Sequence, residues 1–292
     1  MNEIKTIKLQ LASVPSNLPA WGDWNEQANW RLRLGEFDAA LSILRVALSE
    51  TEDVNGRAAL TATLARTLCV SNRKSLAYQL LSEFDQCAIS DPLILAKFQH
   101  TKANVLDESG EYGKALIELA GASAYFEVAG HPDRAEVAAN TASVYVKIGK
   151  PEKAHPELDK AESYFRSISD QVALAQTLET RARAYLAENR CDEAYAAIKE
   201  SRSYLTDEAP LILESLATEV QILDRMKSIA ERERTRLALL LSAGNYKAAG
   251  RLLDITGTAV KNRVKADPTL NAFESGSHTA VASMDDALEV RP

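Results

Sequence analysis

GEYGKA, Gly110 to Ala115, is one of five related hexamers that decide how this chain folds. Its counterparts are GEFDAA (Gly35 to Ala40), NRKSLA (Asn72 to Ala77), GKPEKA (Gly149 to Ala154) and NRCDEA (Asn189 to Ala194). Each starts with Gly or Asn and closes on an alanine, and the closing alanines step by 37, 38, 39 and 40 residues. Another alanine stands twelve residues before each of them, and Leu or Ile four residues after. The resulting triplets are Ala28/Ala40/Leu44, Ala65/Ala77/Leu81, Ala103/Ala115/Leu119, Ala142/Ala154/Leu158 and Ala182/Ala194/Ile198. Gly and Asn tolerate the left-handed backbone that ends a helix, so each hexamer reads as a tight turn between two helices. The two alanines let the paired helices approach closely. The Leu or Ile one turn later lies on the same face and fills the space between successive pairs.

This pattern resembles the tetratricopeptide repeat, at a period longer than its usual ~34 residues. The resemblance covers residues 21–205 as about five helix pairs and implies an all-α, right-handed helical solenoid. Trp24 and Leu178 meet the family's tryptophan-like position, whereas Thr61 and Gln99 depart from it. The usual Leu before the first alanine is replaced by Gln27, Lys102 and Arg181. The family implies a concave surface, lined by first helices, that holds a peptide or partner protein. Its inward positions fall on Asn25, Asn29, Arg66, His100, Asn104, Glu179 and Arg183. Arg66 and Asn104 pair a cation with an amide donor, which suits a carboxylate or an extended peptide backbone. The plain alternative is a solvated polar groove.

Composition agrees with a large helical protein. Of 292 residues, 46% are hydrophobic and 26% charged, and 12 Gly and 9 Pro leave few helix breakers. Cys69, Cys87 and Cys191 lie far apart without CxxC spacing, so neither a disulfide framework nor a zinc site is expected. The opening residues, MNEIKTIKLQLASVPSN, hold no secretory apolar run, and no stretch reaches the ~18 apolar residues of a membrane span. A cytoplasmic location without membrane contact is expected. No G-x-x-x-x-G-K-[ST], G-x-S-x-G or H-E-x-x-H motif appears, and His100, His131, His155 and His278 are scattered. No catalytic residue, metal or cofactor is expected.

The net charge of -7 conceals two regions. Arg225 to Lys265 holds ten Lys or Arg against three acidic residues, a local charge of +7, while the remainder carries 24 basic and 38 acidic groups. Residues 206–227 read as a capping or linker helix opened by Asp207 and Pro210, with Leu211, Leu216, Val220 and Leu223 as its packing face. Ser228 to Glu231 has the form of a capping box and predicts a second helix ending at Gly244.

Next comes GNYKAAGRLLDITGTAVKNRVKA, Gly244 to Ala266, which opens like a sixth hexamer. Its step of 55 residues from Ala194 and its Thr256-Gly257-Thr258 break the repeat. Read instead as a helix-turn-helix, Asn245 caps a helix Tyr246 to Leu253, Asp254 and Ile255 turn, and Thr256 caps a helix to about Ala266. Leu252, Leu253, Val260 and Val264 would then pack on Leu237, Leu240 and Leu241. Residues 228–268 on this reading resemble the Fis-type DNA-binding domain, with Asp254 where that family has glycine and Gly250 where it has alanine.

That resemblance implies duplex DNA as a partner, read in the major groove by a homodimer. Thr256 opens the reading helix. Gly257, Thr258, Lys261 and Asn262 would lie at base edges, and Lys247, Arg251, Arg263 and Lys265 at phosphates. The chain would then be a transcriptional regulator with a peptide-binding sensor domain. The alternative is a protein-interaction adaptor without DNA binding, its C-terminal segment a degenerate repeat. Residues 1–20 read as an N-terminal extension and 269–292 as a mostly disordered acidic tail.

Overall fold

The computed structural model describes residues 20–205, 209–267, 269 and 270. The expectations for the opening segment, for Asp207 and for the tail lie outside the described residues. The chain divides between Thr218 and Glu219 into two compact units. Among the described residues there are helices and no strands.

The first unit is a stack of helix pairs. In order these are α1 (Ala20–Arg33) with α2 (Phe37–Glu50), α3 (Val54–Val70) with α4 (Lys74–Glu83), and α5 (Pro92–Glu108) with α6 (Tyr112–Val128). They continue with α7 (Asp133–Lys147) and α8 (Pro151–Ile168), then α9 (Gln171–Ala187) and α10 (Cys191–Ser203). Each hexamer forms the turn within a pair. Gly35, Asn72, Gly110, Gly149 and Asn189 all take positive φ, between 61° and 78°. In each, the next residue's N–H donates to the carbonyl five residues back, as from Glu111 to Leu106 at 2.8 Å, which closes a Schellman turn. The second helices α2, α4, α6, α8 and α10 start without a side-chain cap. First helices differ: the carboxylates of Asp53, Asp91 and Asp170 accept from the opening N–H groups of α3, α5 and α9.

At Gly110 an added Cβ would meet nothing within 4 Å, so only backbone strain opposes a side chain there. Gly110→Ala is expected to cost about 1 kcal/mol and Asn189→Gly to cost nothing or stabilise slightly, as read by urea denaturation.

All fifteen triplet residues are buried to within 1% exposure, so the small-small-large reading is met at every position. The departures from the repeat pattern are matched by local compensation. Gln99, at the tryptophan-like position, lies over Gly121, where a Cβ would come within 2.7 Å of its amide. Lys102 reaches Glu118 at 2.8 Å and Gln86 at 3.1 Å. Arg181 pairs with Asp159 at 2.7 Å and Glu162 at 3.0 Å. At these two positions the cation that replaces the leucine meets an acid on a neighbouring helix.

Beyond the pairs runs α11 (Ala209–Leu241), 33 residues long, within which the boundary between the units falls. The helix break expected at Ser228 is absent. Ser-Ile-Ala-Glu caps a helix only if the backbone turns there, and no Gly or Pro forces it to. Its face also differs from expectation. Leu216, Val220 and Leu223 are exposed, whereas Ser215, Thr218 and Ile222 are buried.

The second unit holds the rest of α11, α12 (Tyr246–Leu253) and α13 (Gly257–Ala266). Asn245 caps α12, accepting from Lys247 and Ala248 N–H at 3.0 and 3.1 Å. Asp254, at φ 56°, ends it with a Schellman bond from Ile255 N–H to the Gly250 carbonyl. Thr256 caps α13. Ala238, Leu239, Ala249, Val260, Val264 and Leu270 form the core, flanked by Tyr246, Leu253 and Ile255. The expected packing of Leu237, Leu241 and Leu252 is not found, and all three are exposed. An unbroken LALLL run carries no periodic signal, so its inward face is set by packing, and the run turns Ala238 and Leu239 inward.

Candidate functional site

Two of the predicted inward rows follow from register. Asn29, Arg66, Asn104 and Arg183 each follow the first alanine of their repeat by one residue, and Asn25, His100 and Glu179 precede it by three. The structure gathers Asn25, Asn29, Arg66, His100 and Asn104 around one cavity of about 510 Å³, walled by α1, α3, α5 and α7. Arg66, exposed within this groove, donates from Nη2 to Asn29 Oδ1. The groove walls strip water from its guanidinium and lower its pKa, Glu136 opposes this, and Arg33 reinforces it.

His100 sits beneath the groove and is 8% exposed. Asn140 Nδ2 donates to its Nε2 at 2.8 Å and to Asn104 Oδ1 at 2.9 Å. The ring is thereby held as an acceptor at Nε2. Burial holds its pKa below the ordinary histidine range, Glu136 and Asp133 counter this, and Arg66 adds to it. Asn25 Oδ1 is buried and has no hydrogen-bond partner among the described residues.

Sequence reasoning missed Arg33, Lys97, Asp133 and Glu136, which line the same cavity, and Asn140, which braces it. The signal was present in the register. Asn140 shares its position, two before the first alanine, with Thr63 and Thr101, and Lys97 and Glu136 share the position six before it.

Glu179 and Arg183 do not join this cavity. Arg183 donates to Glu179 at 2.6 Å and to Glu214 of α11 at 2.7 Å, while Thr218 donates to Glu179 at 3.0 Å. These contacts explain the unexpected face of α11, because its hydroxyl and carboxylate are drawn onto a polar floor and its leucines turn outward. Burial raises the pKa of Glu179; Arg183 lowers it, and Glu214 pushes it up again. The folded state therefore holds the Glu179 proton more tightly than the unfolded chain does. This contribution is fully present below the ordinary glutamate range and is lost as pH rises through the elevated value. Glu179→Gln is expected to flatten the fall in urea midpoint across that window, measured from pH 4 upward.

In the second unit the predicted residues separate into two groups. Lys247, Arg251, Thr258, Lys261, Asn262 and Lys265 are exposed. Thr256 is spent on its cap, accepting from Ala259 N–H at 3.1 Å. Gly257 packs against α12, where a Cβ would lie 3.1 Å from Lys247 Cα. Arg263, expected at phosphate, is half-buried and donates to Thr235 Oγ1 at 3.2 Å. Among the described residues no cluster of His, Cys, Asp and Glu is placed to hold a metal, and no helix is long and apolar enough to cross a membrane.

The architecture has counterparts among solved structures. A Podosopora anserina protein of nearly identical TPR-like repeats is 19% identical, covers 62% of this chain and 92% of its own, and gives a TM-score of 0.50. Pseudomonas aeruginosa pilF is 18% identical over 72% of this chain and 91% of its own, with a TM-score of 0.51. BtubC of P. vanneervenii is 15% identical over 86% and 94%, with a TM-score of 0.50. These likenesses show the fold, a tetratricopeptide-like helical repeat. No family model and no curated protein matches the sequence.

Proposed function

We propose that the chain is a non-catalytic protein-interaction scaffold whose repeat solenoid, residues 21–205, binds a peptide segment of a partner. One observation carries this reading: inward side chains from successive first helices converge on one cavity of about 510 Å³ with mixed polar and apolar walls, a size typical of ligand sites. Asn29 and Asn104 offer amides that suit an extended backbone, and Arg66 offers a cation for carboxylate. Peptides selected from a random octapeptide library on the full chain are expected to bind the Asn29→Ala/Asn104→Ala double variant at least tenfold more weakly, and Glu200→Ala unchanged. Selection of no peptide, or full binding by the double variant, overturns the proposal.

A second reading, DNA binding by residues 228–268, is favoured by one observation. The backbone turns at Asp254, so α13 is a separate capped helix with Lys261 and Lys265 exposed. On this reading the protein is a cytoplasmic regulator that acts as a homodimer on a two-fold symmetric site. Binding to random duplex DNA is then expected to weaken steeply between about 50 and 200 mM salt. It should be lost in Lys261→Glu/Lys265→Glu with helix content retained. Arg263 is left out of that variant because Thr235 holds it. Absence of binding at the lower salt leaves the scaffold alone.

A further inference from the structure

The groove carries charges of both signs, and among the described residues no direct ion pair joins its cations to its carboxylates, although Glu136 is near enough to Arg66 to favour its charged form. Arg33 at the end of α1, Arg66 on α3 and Lys97 on α5 share the cavity with Asp133 and Glu136 in the first turn of α7. Lys97 and Glu136 occupy equal positions in successive repeats, yet no ion pair joins them, and among the described residues Arg33 and Glu136 have none either. Among the described residues Asp133 pairs with His131, whose Nδ1 already accepts a hydrogen bond from the Asp133 N–H at 3.2 Å.

Elsewhere the same solenoid closes such pairs between neighbouring helices. Lys147 meets Asp107 at 2.6 Å, Arg166 meets Glu200 at 2.6 Å, and Lys74 meets Glu108. The groove is therefore where opposite charges face a shared space instead of each other. Asn25 adds a buried acceptor at its floor that has no hydrogen-bond partner among the described residues. A ligand of one sign would satisfy one wall and be repelled by the other.

We propose that the groove takes a short dipolar peptide segment, with an acidic side chain or terminal carboxylate at Arg33 and Arg66 and a lysine or arginine at Asp133 and Glu136. This rests on the groove being a peptide site and adds the charge order of its partner. The cavity is small, so the two ligand charges fall within about three extended residues, ~10 Å.

The test uses the same octapeptide library, selected on the full chain and on two exposed-site variants, Arg66→Glu and Glu136→Lys, each checked for helix content. Wild type is expected to enrich sequences with an acid and a base within about three positions. Arg66→Glu should lose the acid and keep the base, and Glu136→Lys the reverse. Wild-type peptides should bind each variant on the order of tenfold more weakly. Enrichment of purely acidic or uncharged peptides, untouched by Glu136→Lys, overturns this proposal and leaves the peptide groove standing. Enrichment of no peptide, or of peptides indifferent to both charge variants and to the asparagine variant, removes the groove reading itself.

Discussion

Gly250→Ala is expected to unfold the α12–α13 hairpin. A Cβ on residue 250 would lie 2.7 Å from the Ile255 carbonyl oxygen, 3.0 Å from Gly257 N and 3.1 Å from Thr256 carbonyl carbon. All three are backbone atoms of the turn, so no rotamer change relieves the clash; either the turn or the crossing must open. Gly257 makes the reciprocal approach to Lys247, so two glycines face the crossing from opposite sides. The cost is about 3 kcal/mol, at the upper end of overpacking, against a small core of six buried residues. Amide exchange over residues 246–266 is the measurement. Ala248→Gly, expected to cost only ~1 kcal/mol through helix propensity, is the comparison. Protection of Gly250→Ala equal to wild type would show that the two helices are not held this closely.

Leu158→Ala should destabilise the solenoid by about 3 kcal/mol. Leu158 is fully buried and packs with Ala142, Ala154 and Ala184, with Tyr145 and Val146 partly buried against the cluster, so it joins α7, α8 and α9 as the one large fully buried side chain of that cluster. Truncation leaves a void whose buried walls are alanines, which cannot extend to fill it. Leu158→Met keeps the volume and is expected to cost less than ~1.5 kcal/mol. Repeat stacks couple only to their neighbours, so exchange protection should fall most in α7 to α9 and less in α1. Urea denaturation with residue-resolved exchange checks both the size and the spread. A loss below 1 kcal/mol would contradict the packing described.

The hexamers were readable because each demands a left-handed residue, which only a few residue types accept, and those types stand at Gly35, Asn72, Gly110, Gly149 and Asn189. The cavity was half readable. Asn25, Asn29, Arg66, His100 and Asn104 follow from two register rows, but the groove is wider than two rows, which is why Arg33, Lys97, Asp133, Glu136 and Asn140 escaped. Glu179 and Arg183 belong to the same rows and were lost to the groove because Glu214 and Thr218 engage them, a tertiary event with no local trace.

The chain after residue 205 was least legible. Ser228 is as compatible with a helix interior as with its start, and the stripe of Leu216, Val220 and Leu223 suggested burial where the partner surface was polar. The sixth hexamer shows how close two turns can look. At Gly244 the Schellman bond comes from the glycine itself, and Ala243 takes the left-handed position at φ 49°, one residue earlier than in the other five.

The uncapped starts of α2, α4, α6, α8 and α10 bear on how the scaffold can change length. Every hairpin closes on its own main chain, with no borrowed side chain from an adjoining unit, so a spliced duplicate of residues 115–153 would bring its own fastening. Growth or shortening by whole cassettes is thus open to recombination, whereas an indel of a few residues inside a hairpin would misalign the alanines on which every later cassette rests.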